Sequence, residues 1–248
     1  EVRLSLTKKK DYNPWSMNEL DKSINKLKNN KAKDPHGHIN EIYKFMGKDG
    51  KKTLLTLLNM IKKTLIIPLK LKISNVTTIY KGKGSKNDVI NQRGIFKLSI
   101  VRNILDRMIY MDEQEKINNG MGQFQVGNQK GRNIRDNTLI LHAIINEARK
   151  KRIPIDIQFT DIKQCFDAIW LKEAINDLYT SGVDSRNLNL LYEGNTSTNM
   201  SIDTPLGATD RIVLTNLVMQ GSITGGILCS NQISKLCNRT WNEGENAY

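Results

Sequence analysis

Apolar residues recur at helical spacing over some stretches of this chain and alternate with polar ones over others. Leu20, Ile24 and Leu27 fall on one helical face behind Ser16-Met-Asn-Glu19, whose serine and glutamate stand at capping-box spacing. Leu54, Leu58, Ile61 and Leu65 repeat that pattern across 52–66, and Pro68 sets the stop. The period then changes. Val76, Thr78 and Tyr80 alternate, Gly82 and Gly84 supply a turn, and the pattern resumes at Val89, which predicts a β-hairpin with a basic tip. Helices are predicted over 100–117 and 136–149, then a strand through Ile155, Ile157 and Phe159 that ends on Asp161. Further helices are expected over 168–179 and 186–192, strands at 198–203 and 211–219, and a last helix after the glycines that follow Gln220. Strands and helices interleave irregularly and without a repeat, so the fold class expected is α+β rather than a doubly wound sheet.

Charge adds an asymmetry to this picture. Residues 1–100 hold 22 Lys and Arg against 8 Asp and Glu, whereas residues 101–248 hold 16 against 17, so the basic half is an N-terminal module. Such an asymmetry marks either a polyanion-facing surface, because lysine and arginine bind by releasing counterions from a phosphate backbone, or simply a solvated face. Cys165, Cys229 and Cys237 show no CxxC spacing and no even count, which argues against a disulfide framework or a zinc site and for reduced thiols inside a cell. No run of about 18 apolar residues exists, and the first 20 residues carry charge, so neither membrane insertion nor export is encoded in these residues. An intracellular location, cytoplasm and nucleus, is expected.

The candidate chemistry centres on "FTDIKQCFDAIW" (159–170), where a carboxylate ends the expected strand and an aromatic-acid pair follows. Taken alone, Asp161 is a cap or surface residue, Phe166 a core residue, and Gln220-Gly221 a turn. Their order along the chain gives them a joint meaning. "KNNKAKDPHGHINEIYK" (28–44), "VTTIYKGKG" with "NQRGI", "QVGNQKGRNIRD" (125–136), "FTDIKQCFD" and "MQGSITGGIL" occur in the order, and with much of the wording, of a reverse transcriptase. The sequence resembles the reverse transcriptases of non-LTR (LINE-type) retrotransposons from Leu20 to about Trp241. It departs from their pattern at Asp34 and His36, where Gly and Asp are usual. It departs again at Asn128 and Gln129, which replace an aromatic and an arginine, and at Thr224-Gly225-Gly226, where Leu-Ser-Pro is commoner.

The resemblance implies the fingers and part of the palm of a right-hand polymerase fold. Residues 1–150 correspond to a basic, helix-rich, fingers-like part with a hairpin near 76–95, and residues 151–248 to a partial palm. It also implies an RNA-directed DNA polymerase that joins dNTPs to a DNA primer on an RNA template with Mg²⁺ (or Mn²⁺). Asp161 matches the catalytic, metal-holding aspartate, and nucleotidyl transfer needs such hard oxygen ligands to carry two ions. Phe166 matches the steric gate against a 2′-hydroxyl, and Asp167 a structural helix cap. Lys81 or Lys83, together with Arg93, match the basic residues of the fingers hairpin that hold the triphosphate. Gln220 and Gly221 match the pair that packs on the nucleotide and template base, while Lys31, Lys130 and Arg132 match nucleic-acid contacts.

The family's second metal-binding element, a hairpin with two adjacent aspartates, lies 30 to 60 residues beyond the Gln-Gly pair. Only 28 residues follow Gln220 here, and Asp210 is the last aspartate. The expectation is therefore a fingers and partial-palm segment, inactive alone, that is either part of an active polymerase or a non-catalytic nucleic-acid-binding remnant. A group II intron or telomerase-type enzyme shares the chemistry but not the "KGRNIRD" wording.

Overall fold

The computed structural model describes residues 12–122, 124–129, 131–162, 165–216 and 218–245, without the side chains of Asp167 and of 236–245. The fold is α+β, with 52% helix and 12% strand, so helices supply most of the core. Helix α1 (Met17–Asn25) begins at the expected capping box: Ser16 Oγ accepts from the Glu19 N–H, and the Glu19 carboxylate accepts from the Ser16 N–H at 2.7 Å. A short helix α2 (Asn40–Lys44) was not legible in the periodicity. Helix α3 (Lys48–Thr64) runs as its apolar stripe predicts, and Leu65 closes it in a left-handed conformation, three residues before Pro68.

Strands β1 (Ile73–Tyr80) and β2 (Gln92–Leu98) form the expected antiparallel hairpin, with Val76 opposite Phe96 and Tyr80 opposite Gln92. Helix α4 (Ile100–Gly120) follows, and its Ile104, Leu105, Met108 and Ile109 lie at the centre of the core. Helix α5 (Ile134–Lys151), the short α6 (Cys165–Ala168), α7 (Leu171–Thr180) and α8 (Ser185–Asn195) lead to β3 (Thr198–Thr204), β4 (Gly207–Ala208) and β5 (Ile212–Leu214). The last helix, α9 (Ile223–Glu245), packs on α4 and α7. The sheet order is β2-β1-β3-β4, and β5 also pairs with β3. Strands β1 and β3 run parallel, with Ile73 beside Asn199 and Thr77 beside Asp203, so segments from both halves of the chain share one sheet.

A buried ion pair ties the helices together. Arg102 is fully buried, its Nε donates to Asp106 Oδ1 at 2.7 Å, and its Nη1 donates to the Gly194 carbonyl at 2.6 Å. A Cβ on Gly194 would sit 2.2 Å from the guanidinium, so only glycine lets α8 approach this closely. Thr224 Oγ1 donates to the other Asp106 oxygen at 3.4 Å and brings α9 into the same network.

Two sequence expectations are corrected. The alternation of Ile155, Ile157 and Phe159 forms no strand: residues 153–162 pair with none of the described strands, and Ile153, Ile155, Ile157 and Phe159 are all exposed. Alternation makes a strand only where a neighbour supplies hydrogen-bonding groups, and none of the described strands pairs with this stretch. The strand expected over 211–219 is confined to Ile212–Leu214, after which Val218 and Met219 turn into the interior.

Candidate nucleotide-binding site

The β1–β2 hairpin forms one wall of the candidate site. Gly82 and Gly84, both at positive φ, turn the chain beyond β1, and the Tyr80 hydroxyl donates to the Gly84 carbonyl at 2.6 Å. Lys86 lies over the Tyr80 ring, with its ammonium 5.6 Å from the ring centre. The Lys81 N–H donates to the Asn91 carbonyl and its ammonium to the Ile90 carbonyl at 2.8 Å, which directs this lysine inward across the hairpin. Lys83 is exposed at the tip and does not line the cavity, whereas Arg93, also exposed, does.

The Gln220-Gly221 turn is held against this wall by the main chain. The Phe96 N–H donates to the Gln220 carbonyl at 3.2 Å, and Gly221 adopts φ +100°. A Cβ on Gly221 would reach ordinary contact with the Phe96 carbonyl oxygen at 3.5 Å, so its backbone angle is what favours glycine. Ser222 then starts α9: its hydroxyl donates to the Met219 carbonyl at 3.0 Å and accepts from the Gly225 N–H at 2.8 Å. Gly225 leaves no room for a side chain, since a Cβ would lie 2.2 Å from the Met219 carbonyl oxygen.

Between hairpin and turn opens a cavity of about 670 Å³ lined by Lys81, Arg93, Asp161, Phe166 and Gln220, with Ile90 and Cys165 beside them. Five of the residues singled out in the sequence thus meet at one place from four separate segments. Asp161 is exposed and, among the described residues, is the only acid of the lining. Phe166 is half-buried, with its ring packed against the main core as well as lining the cavity. Asp167 falls inside α6, and its side chain lies outside the described residues.

The remaining sequence-derived positions lie elsewhere. Lys31 is exposed on the loop between α1 and α2 and does not line the cavity. Lys130 lies outside the described residues, and Arg132 is exposed just ahead of α5. The "NIRD" end of that motif is a capping box, in which the Asn133 N–H donates to Asp136 Oδ2 at 3.1 Å.

Several departures from the family pattern have visible structural work. Asp34 accepts from the His36 and His38 N–H groups at 2.9 Å, and its second oxygen accepts from the Ile100 N–H at 3.0 Å, which caps the start of α4. Asn128 donates to the Gly226 carbonyl at 3.1 Å and to Ser230 Oγ at 2.8 Å, so the two departures at 128 and 226 meet in space. A Cβ on Gly226 would press on the Asn128 amide at 3.0 Å. The sequence signal was there in both segments, but nothing in linear spacing says that residues 128 and 226 touch.

A two-ion centre needs several carboxylate oxygens around a pair of cations. Among the described residues no group of three or more His, Cys, Asp or Glu is placed to hold a metal, and Asp161 offers one carboxylate. The described residues do not by themselves complete such a centre. No described helix is long and apolar enough to cross a membrane. No family model matches the sequence, and no curated protein matches it.

Proposed function

We propose that this chain carries the nucleotide- and template-binding part of an RNA-directed DNA polymerase of the non-LTR retrotransposon type, in the fingers and partial palm of a right-hand fold. The observation that carries this reading is the meeting of Lys81, Arg93, Asp161, Phe166 and Gln220 around one cavity. Each residue type suits a different part of a deoxynucleoside triphosphate. Arg93 offers a planar fork of donors for phosphate oxygens, and Lys81 adds an ammonium that donates to the neutral Ile90 carbonyl. The Phe166 ring presents an apolar face to the sugar, and Gln220 offers an amide at the end opposite the hairpin tip.

Asp161 is one of the oxygen ligands that bound Mg²⁺ would require, and Mg²⁺ would supply charge neutralisation of the triphosphate. Among the described residues Asp161 is the one acid of the lining, and nucleotide binding is the activity proposed here for this chain. The basic N-terminal hundred residues would hold the RNA template and DNA primer by their phosphates.

Equilibrium titration of the full chain with a dNTP tests the reading. Arg93→Ala is expected to weaken binding by about tenfold or more, the loss of a charge-assisted contact worth roughly 1.5–3 kcal/mol. Equal affinity in the two proteins would sink the assignment of the cavity. A second reading, a nucleic-acid-binding remnant without nucleotide chemistry, is favoured by the presence of one acid among the described lining residues. It is distinguished by salt-dependent RNA binding in a protein that takes no dNTP.

A further inference from the structure

Behind the cavity wall, a thiol that lines it meets a second, buried one. Cys165, the first residue of α6, is half-buried and lines both the cavity described above and a second one of about 610 Å³, bordered by Trp170, Lys172, Asp177 and Lys235. Cys229, on α9, is buried at 6% exposure. Their sulfurs lie 2.8 Å apart, and both are free thiols, although 64 positions separate them in the chain. Neither sequence spacing nor the even-count rule points to this pair.

We propose that Cys165 and Cys229 form a reversible redox pair, a covalent modification site set between α6 and α9. The oxidant is a peroxide. Cys165, open to two cavities, reacts first: its sulfur gives an electron pair to one peroxide oxygen, the O–O bond breaks, and the products are a Cys165 sulfenic acid and water. Burial pushes the Cys229 thiol up to about 12, so this residue stays protonated and shielded and does not compete for the oxidant. Its sulfur then attacks the Cys165 sulfur, the S–O bond breaks, and the hydroxyl leaves with the thiol proton as a second water. In total two thiols lose two hydrogens, and one peroxide becomes two waters.

The sulfur separation leaves less than an ångström to close to reach a covalent bond of about 2.05 Å, so the fold accommodates the link without large movement. The link would fix α6, and with it Phe166, to the helix that follows the Gln220-Gly221 turn. That consequence for the nucleotide rests on the function proposed above. The link itself does not.

The full chain, treated with a small excess of hydrogen peroxide, quenched with N-ethylmaleimide and digested with trypsin, provides the test. The expected product joins the peptide of residues 164–172 to that of 212–235, disappears on reduction, and leaves Cys237 alkylated on its own peptide, 236–239. The oxidised chain should melt roughly 5–10 °C higher than the reduced one, as a cross-link across a loop of this length predicts. Cys229→Ser should leave a Cys165 sulfenic acid that dimedone traps. Failure of the wild-type chain to give the linked peptide, pairing through Cys237, or a link formed only between two chains overturns the proposal. Because the readout is a peptide mass, it stands apart from whether the cavity takes a nucleotide.

Discussion

The Phe96 N–H donates to the Gln220 carbonyl at 3.2 Å, and this single main-chain bond joins the second strand of the hairpin to the turn before α9. Arg93 lies three residues before one end of the bond, and the Gln220 side chain grows from the other. The two ends of the proposed nucleotide site are therefore spaced by backbone rather than by flexible side chains.

That relationship makes Gly221→Ala informative. The residue sits at φ +100° with room for a Cβ, so the cost is backbone strain, roughly 1–3 kcal/mol. Urea unfolding should show that loss, and dNTP titration should show weakened binding because relaxation of the turn displaces Gln220. A variant with wild-type stability and affinity would mean that the turn is not held in the described geometry.

Arg102→Met should destabilise the protein by about 3–5 kcal/mol, because it strands the buried Asp106 carboxylate without its counter-charge. Arg102→Met combined with Asp106→Leu should recover much of that loss, since the desolvation cost then vanishes from both partners. A double-mutant cycle by denaturant unfolding measures the coupling. Additive losses would show that the two side chains do not act as a pair.

Asp203 gives a prediction in pH. Bonds from Lys97, at 3.0 Å, and then from Thr77 and Asn75 hold its carboxyl below the ordinary value of 3.8, against the opposing effect of burial. The folded state thus favours the ionised form. The stability this contributes is present above about pH 4 and is lost as pH falls through the lowered value. Asp203→Asn should flatten the acid limb of the stability curve below about pH 4. An unchanged limb, measured by urea unfolding across that range, would show that other carboxylates dominate it.

Phe166→Val separates two roles that the ring holds at once. Loss of core packing should cost about 1–3 kcal/mol of stability. If the ring also excludes a 2′-hydroxyl, competition between dNTP and rNTP should shift toward the ribonucleotide by up to about 100-fold, roughly 3 kcal/mol. A stability loss with no change in that ratio would leave Phe166 as a packing residue alone.

The helices around the core were readable because each carries a stripe that finds a partner: Leu20 and Ile24, Leu54 and Leu58, and Leu171 and Ile175 are all buried. The hairpin was readable from Gly82 and Gly84. The segment 153–162 has an equally clear pattern and remains unpaired, because a strand depends on a neighbour that local sequence cannot specify. Helix α5 shows the complementary case: it forms as expected, yet Ile134, Leu139, Ile140 and Ile144 stay exposed. The five cavity residues were picked out through motif order. The contacts of Asp34 with Ile100, Asn128 with Gly226 and Cys165 with Cys229 were not, since each joins positions far apart along the chain.

The parallel pairing of β1 with β3 has a consequence for how the chain can be cut. Residues before and after the exposed 153–162 stretch are knit together by that pairing, by the packing of α4 on α9, and by Arg102 reaching Gly194. A protease that nicks the stretch should therefore release nothing under native conditions: the halves should elute as one particle and part only in denaturant. Expressed separately, they are candidates for reassembly as a split protein, with association replacing the peptide bond.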